Sequence, residues 1–248
     1  MTTNEANEAK AEKRKARVKI RRSKNLKHKR VNDIFLGPLE RPALAYLVKI
    51  LPQWVTPDIL TFTGLFACVL VFFGYYLSNF NEAFLWLASF GLLLNWFGDS
   101  LDGTLARYRK IERPRFGFFI DHTMDALGVV LIMLGMGLSP YTHFYVAVFP
   151  LIAYLMMEVQ AVSALYTNNI FKISYGKLGP TEARAIAIVL NTVLYFVASP
   201  AVRLFGRSFM IMDILLVAIA ALIFGIFIYS VNKVGRRLSK IEQGRLNE

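Results

Sequence analysis

At 248 residues the chain suits one ordinary domain or one compact membrane bundle, and a composition of 55% apolar and 14% aromatic residues favours the bundle. Apolar runs near or above 18 residues recur too often for a soluble core. A net charge of +12 invites nucleic acid, yet with six spans every one of the 29 Lys and Arg except Arg203 and Arg207 falls on one face of the membrane. The positive-inside rule makes that face cytoplasmic, so no nucleic-acid partner is needed.

Residues 1–32 are polar and increasingly basic, with too little apolar surface to fold alone, and are expected to form a disordered cytoplasmic tail. They contain no apolar core of a cleavable signal, so insertion is expected to begin with the first span. Residues 33–57 mix apolar side chains with Glu40, Arg41 and Lys49. Pro38 and Pro42 are expected to break the early part, leaving Ala43 to Leu51 as a short amphipathic helix along the cytoplasmic interface. Thr56-Pro57-Asp58 marks a helix entry.

Six spans follow within residues 58–232: Ile59 to Leu77, Ala83 to Leu101, Phe116 to Gly137, Phe144 to Leu165, Ala183 to Phe205 and Ile214 to Val231. Residues 233–248 form a charged cytoplasmic tail. The fold class is thus an all-α integral membrane protein of six transmembrane helices with an amino-terminal interfacial helix. Cys68, the only cysteine, lies inside an apolar run, which excludes an intramolecular disulfide and a cysteine zinc site.

Chemistry concentrates at the second and third spans. Asp99 and Asp102, at i,i+3, share a helix face, and so do Asp121 and Asp125, at i,i+4. An Asp at the centre of a membrane helix costs roughly 2.5 to 3.5 kcal/mol, so positive charge must meet these four. Their oxygens suit hard divalent cations, Mg²⁺ or Mn²⁺, better than Zn²⁺, and a two-metal site is the natural reading. Arg107 beside them either balances charge or binds a phosphate, while Gly103, Ala106 and Gly117 leave room for close approach of a ligand. Asn95 either bonds an aspartate or ties two helices together. Glu158 is expected inside the bundle, paired with a base or facing the polar site.

The pattern Asp99-x-x-Asp102-Gly103-x-x-Ala106-Arg107, nine residues, Gly117-x-x-x-Asp121-x-x-x-Asp125 resembles the signature of the CDP-alcohol phosphotransferases at all eight fixed residues over 27 positions. The resemblance implies a di-metal centre on Asp99, Asp102, Asp121 and Asp125, with Asp125 also the general base. From spacing alone Asp125 and Asp121 are equivalent. The resemblance further implies nucleotide contacts by Asp58, Thr61, Gly103, Ala106, Arg107 and Gly117, a homodimer, and release of CMP from a CDP-linked donor as an alcohol acceptor attacks. At least one of the two substrates is expected to be a lipid. The segment Gly179-Pro180-Thr181-Glu182 is similar to one near which the acceptor enters in some members, although Thr181 and Glu182 also suit a helix start.

The substrate pair stays open. A CDP-diacylglycerol donor with a phosphorylated acceptor would use cations such as Lys172, Lys177 and Arg184, whereas a diacylglycerol acceptor with a CDP-aminoalcohol donor would use an apolar entrance and an acid such as Glu182. A divalent-cation transporter is the rival of another class. It predicts acids spread through the depth of the bilayer, whereas here they gather at one side.

Overall fold

A computed structural model of the protein describes residues 35–168, 179–197, 201–204 and 207–246. Within them, seven helices and one short antiparallel ribbon follow in order: α1 (Gly37–Ile50), α2 (Pro57–Leu77), α3 (Phe84–Tyr108), α4 (Pro114–Gly137), α5 (Phe144–Asn168), α6 (Pro180–Val197), β1 (Ala201–Leu204), β2 (Arg207–Met210) and α7 (Ile211–Leu246). Helices α2 to α7 are each long and apolar enough to cross a membrane. The chain is an integral membrane protein of six spans, as its apolar runs predict.

Local sequence explains most helix ends. Thr56 caps α2 by accepting the Ile59 N–H at 3.3 Å, and Pro57 and Asp58 occupy the first turn, where a missing N–H and a negative charge suit a helix start. Pro114 opens α4 in the same way. Helix α3 ends as Lys110 takes a left-handed conformation with φ 57°. Beyond it Arg109 folds back, donating to the Pro52 carbonyl at 2.8 Å and the Val55 carbonyl at 2.5 Å, which fixes the turn between α1 and α2.

Three boundaries differ from expectation. Pro42 does not break α1, which runs from Gly37; a proline in the second turn removes one backbone bond, and tertiary contacts of Glu40 and Val48 outweigh that loss. The fifth span stops at Val197 instead of reaching Phe205, and the chain enters the β1–β2 ribbon, which pairs Ala201 with Met210 and Leu204 with Arg207. Pro200 is the sequence reason, since neither it nor the residue before it favours helix. The sixth span, α7, continues through the charged carboxyl-terminal residues to Leu246, and its late Lys and Arg complement the helix dipole.

Helix α2 is the spine of the bundle, packed along α3 on one side and α4 on the other, so α3 and α4 do not pack along each other. Small residues make the close approaches possible. A Cβ on Gly98 would stand 2.6 Å from both the Gly64 nitrogen and the Leu60 carbonyl oxygen, and one on Gly135 would stand 2.6 Å from the Phe72 Cα. Helix α5 joins α4 to α7, while α6 lies against α3 and its Asn191 accepts from the Tyr75 hydroxyl of α2 at 3.0 Å. Two apolar clusters stabilise the ends, one around Val71, Leu85, Leu92 and Leu216, the other around Val48, Leu60, Leu101 and Leu105. The carboxylates sit near the second cluster.

Candidate active site

Each half of the acidic signature is carried by one continuous helix. Helix α3 runs without interruption past Gly103 to Tyr108, so Asp99, Asp102 and Arg107 share a single rigid element, and α4 carries Asp121 and Asp125 two turns from its start. Although α2 separates the two helices along their length, acids of both lie within electrostatic reach of one another at one end of the bundle. Asp102 is within electrostatic reach of Asp99 and Asp121, and Asp125 within reach of Asp99, Asp121 and Glu158.

Two of the acids hold identifiable partners. Asp102, only 7% exposed, accepts the Gly103 backbone N–H on one oxygen, and on the other a 2.6 Å hydrogen bond from the Thr61 hydroxyl of α2. Asp99 accepts a 2.6 Å bond from Arg184 on α6, a pair whose side chains are 32% and 14% exposed. Arg184 is also within reach of Asp125, which makes it the guanidinium of the cluster. The inward face of α2 forms the back wall: Cys68 is within reach of Asp99, Asp125 and Arg184, and Asn95 donates to its sulfur at 3.2 Å and to the Gly64 carbonyl at 2.9 Å. Of its two readings, Asn95 realises the helix tie. Glu158, on α5, lies within electrostatic reach of Asp125 and of Tyr154 on its own helix.

The remaining predicted residues lie around this centre in different ways. Asp58 forms an ion pair with Arg113 at the entrance of α2 and α4, both half exposed. The Arg107 side chain lies over Gly103, where a Cβ would stand 3.3 Å from its Nη1, and it donates to Thr104 at 3.1 Å. Gly117 has open space where a Cβ would be, and Ala106 is half buried one residue before Arg107. His122 is held by its own helix, Nδ1 2.9 Å from the Phe118 carbonyl oxygen. Lys172 and Lys177 lie outside the described residues, as does the basic segment 1–32. Glu182 is turned away from the acids: one oxygen accepts the Leu36 N–H and the other the Gly179 N–H, each at 2.8 Å, so it caps the starts of α1 and α6.

Sequence reasoning missed Glu40. It is 8% exposed, and its Oε1 accepts from the Trp96 indole at 2.8 Å and from the Ser100 and Thr181 hydroxyls at 3.0 Å each. The available signal was an acid in an otherwise interfacial stretch. Its partners, far along the chain, were not.

The donor set can be tested against a metal centre. Four carboxylates supply only oxygen, the preference of Mg²⁺ and Mn²⁺. Among the described residues no three acids already surround one point. Asp99 and Asp102 instead each direct an oxygen to Arg184 and Thr61 respectively, and an all-oxygen set of neighbouring acids with one guanidinium among them is chemically suited to added divalent charge.

Fold and site together define a multi-pass membrane protein with a group of acids toward one end of its helices. It belongs to the CDP-alcohol phosphatidyltransferase family, whose profile matches residues 54–229. The chain is 38% identical over 85 residues to phosphatidylinositol phosphate synthase of Cutibacterium acnes, covering 34% of this chain and 38% of that one. It is 34% identical over 104 residues to archaetidylinositol phosphate synthase of Pyrococcus horikoshii, covering 42% and 52%. With cholinephosphotransferase 1 of Gallus gallus it shares 25% identity over 191 residues, covering 72% and 55%. The matched stretches thus span roughly half or less of these relatives' own lengths. The fold is similar to that of the apo crystal structure of Mycobacterium tuberculosis phosphatidylinositol phosphate synthase, with a TM-score of 0.53 and 19% identity over 77% of this chain and 94% of that one.

Proposed function

We propose that this protein transfers a substituted phosphate from a CDP-linked donor to the hydroxyl of an acceptor alcohol, releasing CMP. What carries the reading is the meeting of Asp99, Asp102, Asp121 and Asp125 from two separated helices, in a chain that belongs to this family. Acids drawn together at one level, with Arg184 among them, are not the spread along the bilayer depth that a cation pathway needs.

Asp99, Asp102, Asp121 and Asp125 would hold two divalent cations, which when bound neutralise charge on the donor diphosphate. The chain's own groups account for the rest. Thr61 orients Asp102 through its 2.6 Å bond. Arg107, at the open side near Gly103 and Gly117, is placed to grip phosphate oxygens in a bidentate fashion, and Asp58 borders the nucleotide at the same entrance. Asp125 removes the proton of the attacking hydroxyl, a role that requires an ionised carboxylate beside the incoming oxygen.

A CDP-diacylglycerol donor with a phosphorylated acceptor is the favoured pair. Arg184 lies within the acid cluster and is free to exchange Asp99 for an acceptor phosphate, with Lys172 and Lys177 the further cations. Glu182, occupied by two backbone amides, is poorly placed to recognise an aminoalcohol. The same reading puts both termini and the acid centre on the cytoplasmic side, because the basic residues gather there, and includes a homodimer.

The deciding experiment incubates the purified protein with each CDP donor and a panel of alcohols, and measures CMP. Release is expected with CDP-diacylglycerol and a phosphorylated alcohol, abolished by EDTA and restored by Mg²⁺ or Mn²⁺. Release with CDP-choline and diacylglycerol alone would reverse the substrate assignment. No release with any pair would remove the enzyme reading.

A further inference from the structure

The Asp99–Arg184 pair joins two helices, α3 and α6, that no loop connects directly. Their mutual placement therefore needs an external reference near the inner end. Glu40 of α1 is that reference. Trp96 and Ser100, at i,i+4 on α3, flank Asp99 in sequence, and Thr181 lies three residues before Arg184 on α6. All three donate to one oxygen of Glu40, at 2.8, 3.0 and 3.0 Å. The Ser100 and Thr181 hydroxyls, each 3.0 Å from the same atom, are therefore no farther apart than twice that distance.

We propose that Glu40 is a positioning residue that fixes α6 against α3 so that Arg184 meets Asp99, making α1 a strap that sets the geometry of the site. The inference rests on the transferase reading for the importance of that geometry. A second carboxylate reinforces the strap from the opposite direction. Glu182, on α6, accepts the Leu36 N–H at the start of α1 and the Gly179 N–H at the start of its own helix. Each helix thus sends one buried acid into the other's neighbourhood. An interfacial helix that only anchored the chain to lipid would have no use for a carboxylate 8% exposed.

The neighbouring polar groups sharpen the distinction between positioning and packing. A packing role would be served by any apolar side chain of similar volume, whereas holding three donors on one atom needs an oxygen. Glu40→Gln keeps that oxygen and Glu40→Ala removes it. Small displacements of a reacting constellation are expensive, so the second variant should lose turnover well beyond its effect on stability.

Two measurements test this. In full-length protein carrying Cys68→Ser, spin labels at Tyr108→Cys and Ile186→Cys, both exposed positions, report the α3–α6 distance by pulsed electron resonance. The distribution should be unchanged by Glu40→Gln and shifted or broadened by Glu40→Ala. If Glu40→Ala does not fold, Ser100→Ala with Thr181→Val breaks the same bridge and is expected to give the same shift. An unaltered distance overturns the proposal, whatever the activity. In CMP release, Glu40→Ala should lower kcat by about 10- to 100-fold with the donor KM within about twofold, and Glu40→Gln should stay within about threefold of the parent. Placed on Arg184→Ala, Glu40→Ala should cost less than about twofold more, because its effect runs through Arg184. Losses that simply multiply would sink the proposal. If the parent protein releases no CMP, the transferase reading fails, and the distance measurement alone decides whether the strap exists.

Discussion

Acids at opposite ends of the bundle differ in how they are satisfied. At the outer end Asp213, 1% exposed, accepts from the Thr142 hydroxyl at 2.6 Å, the His143 ring at 2.7 Å and the backbone N–H groups of His143 and Met210 at 2.9 Å each. At the end that carries the signature, Asp102 lies within electrostatic reach of Asp99 and Asp121, and Asp125 within reach of Asp99, Asp121, Glu158 and the Arg184 guanidinium. A carboxylate whose donors converge on it stabilises a fold; carboxylates that converge on one another are costly and persist only where something else uses them. The Asp213 arrangement ties the starts of α5 and α7.

The contrast breaks most sharply at Asp125. Asp125→Asn keeps shape and volume but removes the proposed base, and turnover is expected to fall by about 10²- to 10⁴-fold while CDP-donor binding, measured by titration calorimetry, changes little. Donor binding lost in parallel would make Asp125 a metal ligand only. At the other end the same kind of change should act on stability alone. Asp213→Ala strands the Thr142 hydroxyl and two backbone N–H groups, which should lower unfolding free energy by on the order of 3 kcal/mol, while CMP release per folded molecule is retained. Thermal unfolding in detergent, read beside activity, separates the two ends.

How much of this the sequence disclosed depends on the range over which each feature is encoded. The spans announced themselves through apolar runs, and the four aspartates through spacing within single helices, both local properties. Residues paired across long separations were invisible. Glu40 meets Trp96, Ser100 and Thr181 at separations of 56, 60 and 141 residues, and Arg184 meets Asp99 at 85. The role of Glu182 was half legible, because helix capping is local, but its bond to Leu36 crosses 146 residues. The placement of α2 between α3 and α4 was likewise hidden, since a short linker between two helices suggests direct neighbours. The end of the fifth span is different in kind: Pro200 is a local helix-stop signal, while apolar character continues past it to Phe205.

That close packing supplies the next way to sharpen the contrast. Gly98→Ala would press a methyl group against the backbone of Leu60 and Gly64, 2.6 Å away, in a region where nothing flexible can yield. The expected cost is about 1 to 3 kcal/mol in stability. Because Asp99 and Asp102 follow immediately, forcing α3 from α2 should also lower turnover; an equivalent strain at Gly135, two turns and more beyond Asp125, should lower stability with a smaller effect on CMP release.

The smallest effect expected is at Thr61, and it is the most discriminating about charge. Its hydroxyl lies 2.6 Å from Asp102 and 3.1 Å from the Pro57 carbonyl oxygen, and with a single proton it donates to the closer, charged acceptor. Thr61→Val preserves shape and removes that donor, leaving Asp102 with the Gly103 N–H alone among its described partners. If Asp102 serves a divalent cation, the loss is one of orientation, worth about 1 kcal/mol, and should appear as a several-fold rise in the Mg²⁺ concentration needed for half-maximal CMP release, with saturating turnover nearly intact. Were Thr61 only a structural partner of Asp102, as Thr142 is of Asp213, the melting temperature would fall and the metal requirement would stay where it was.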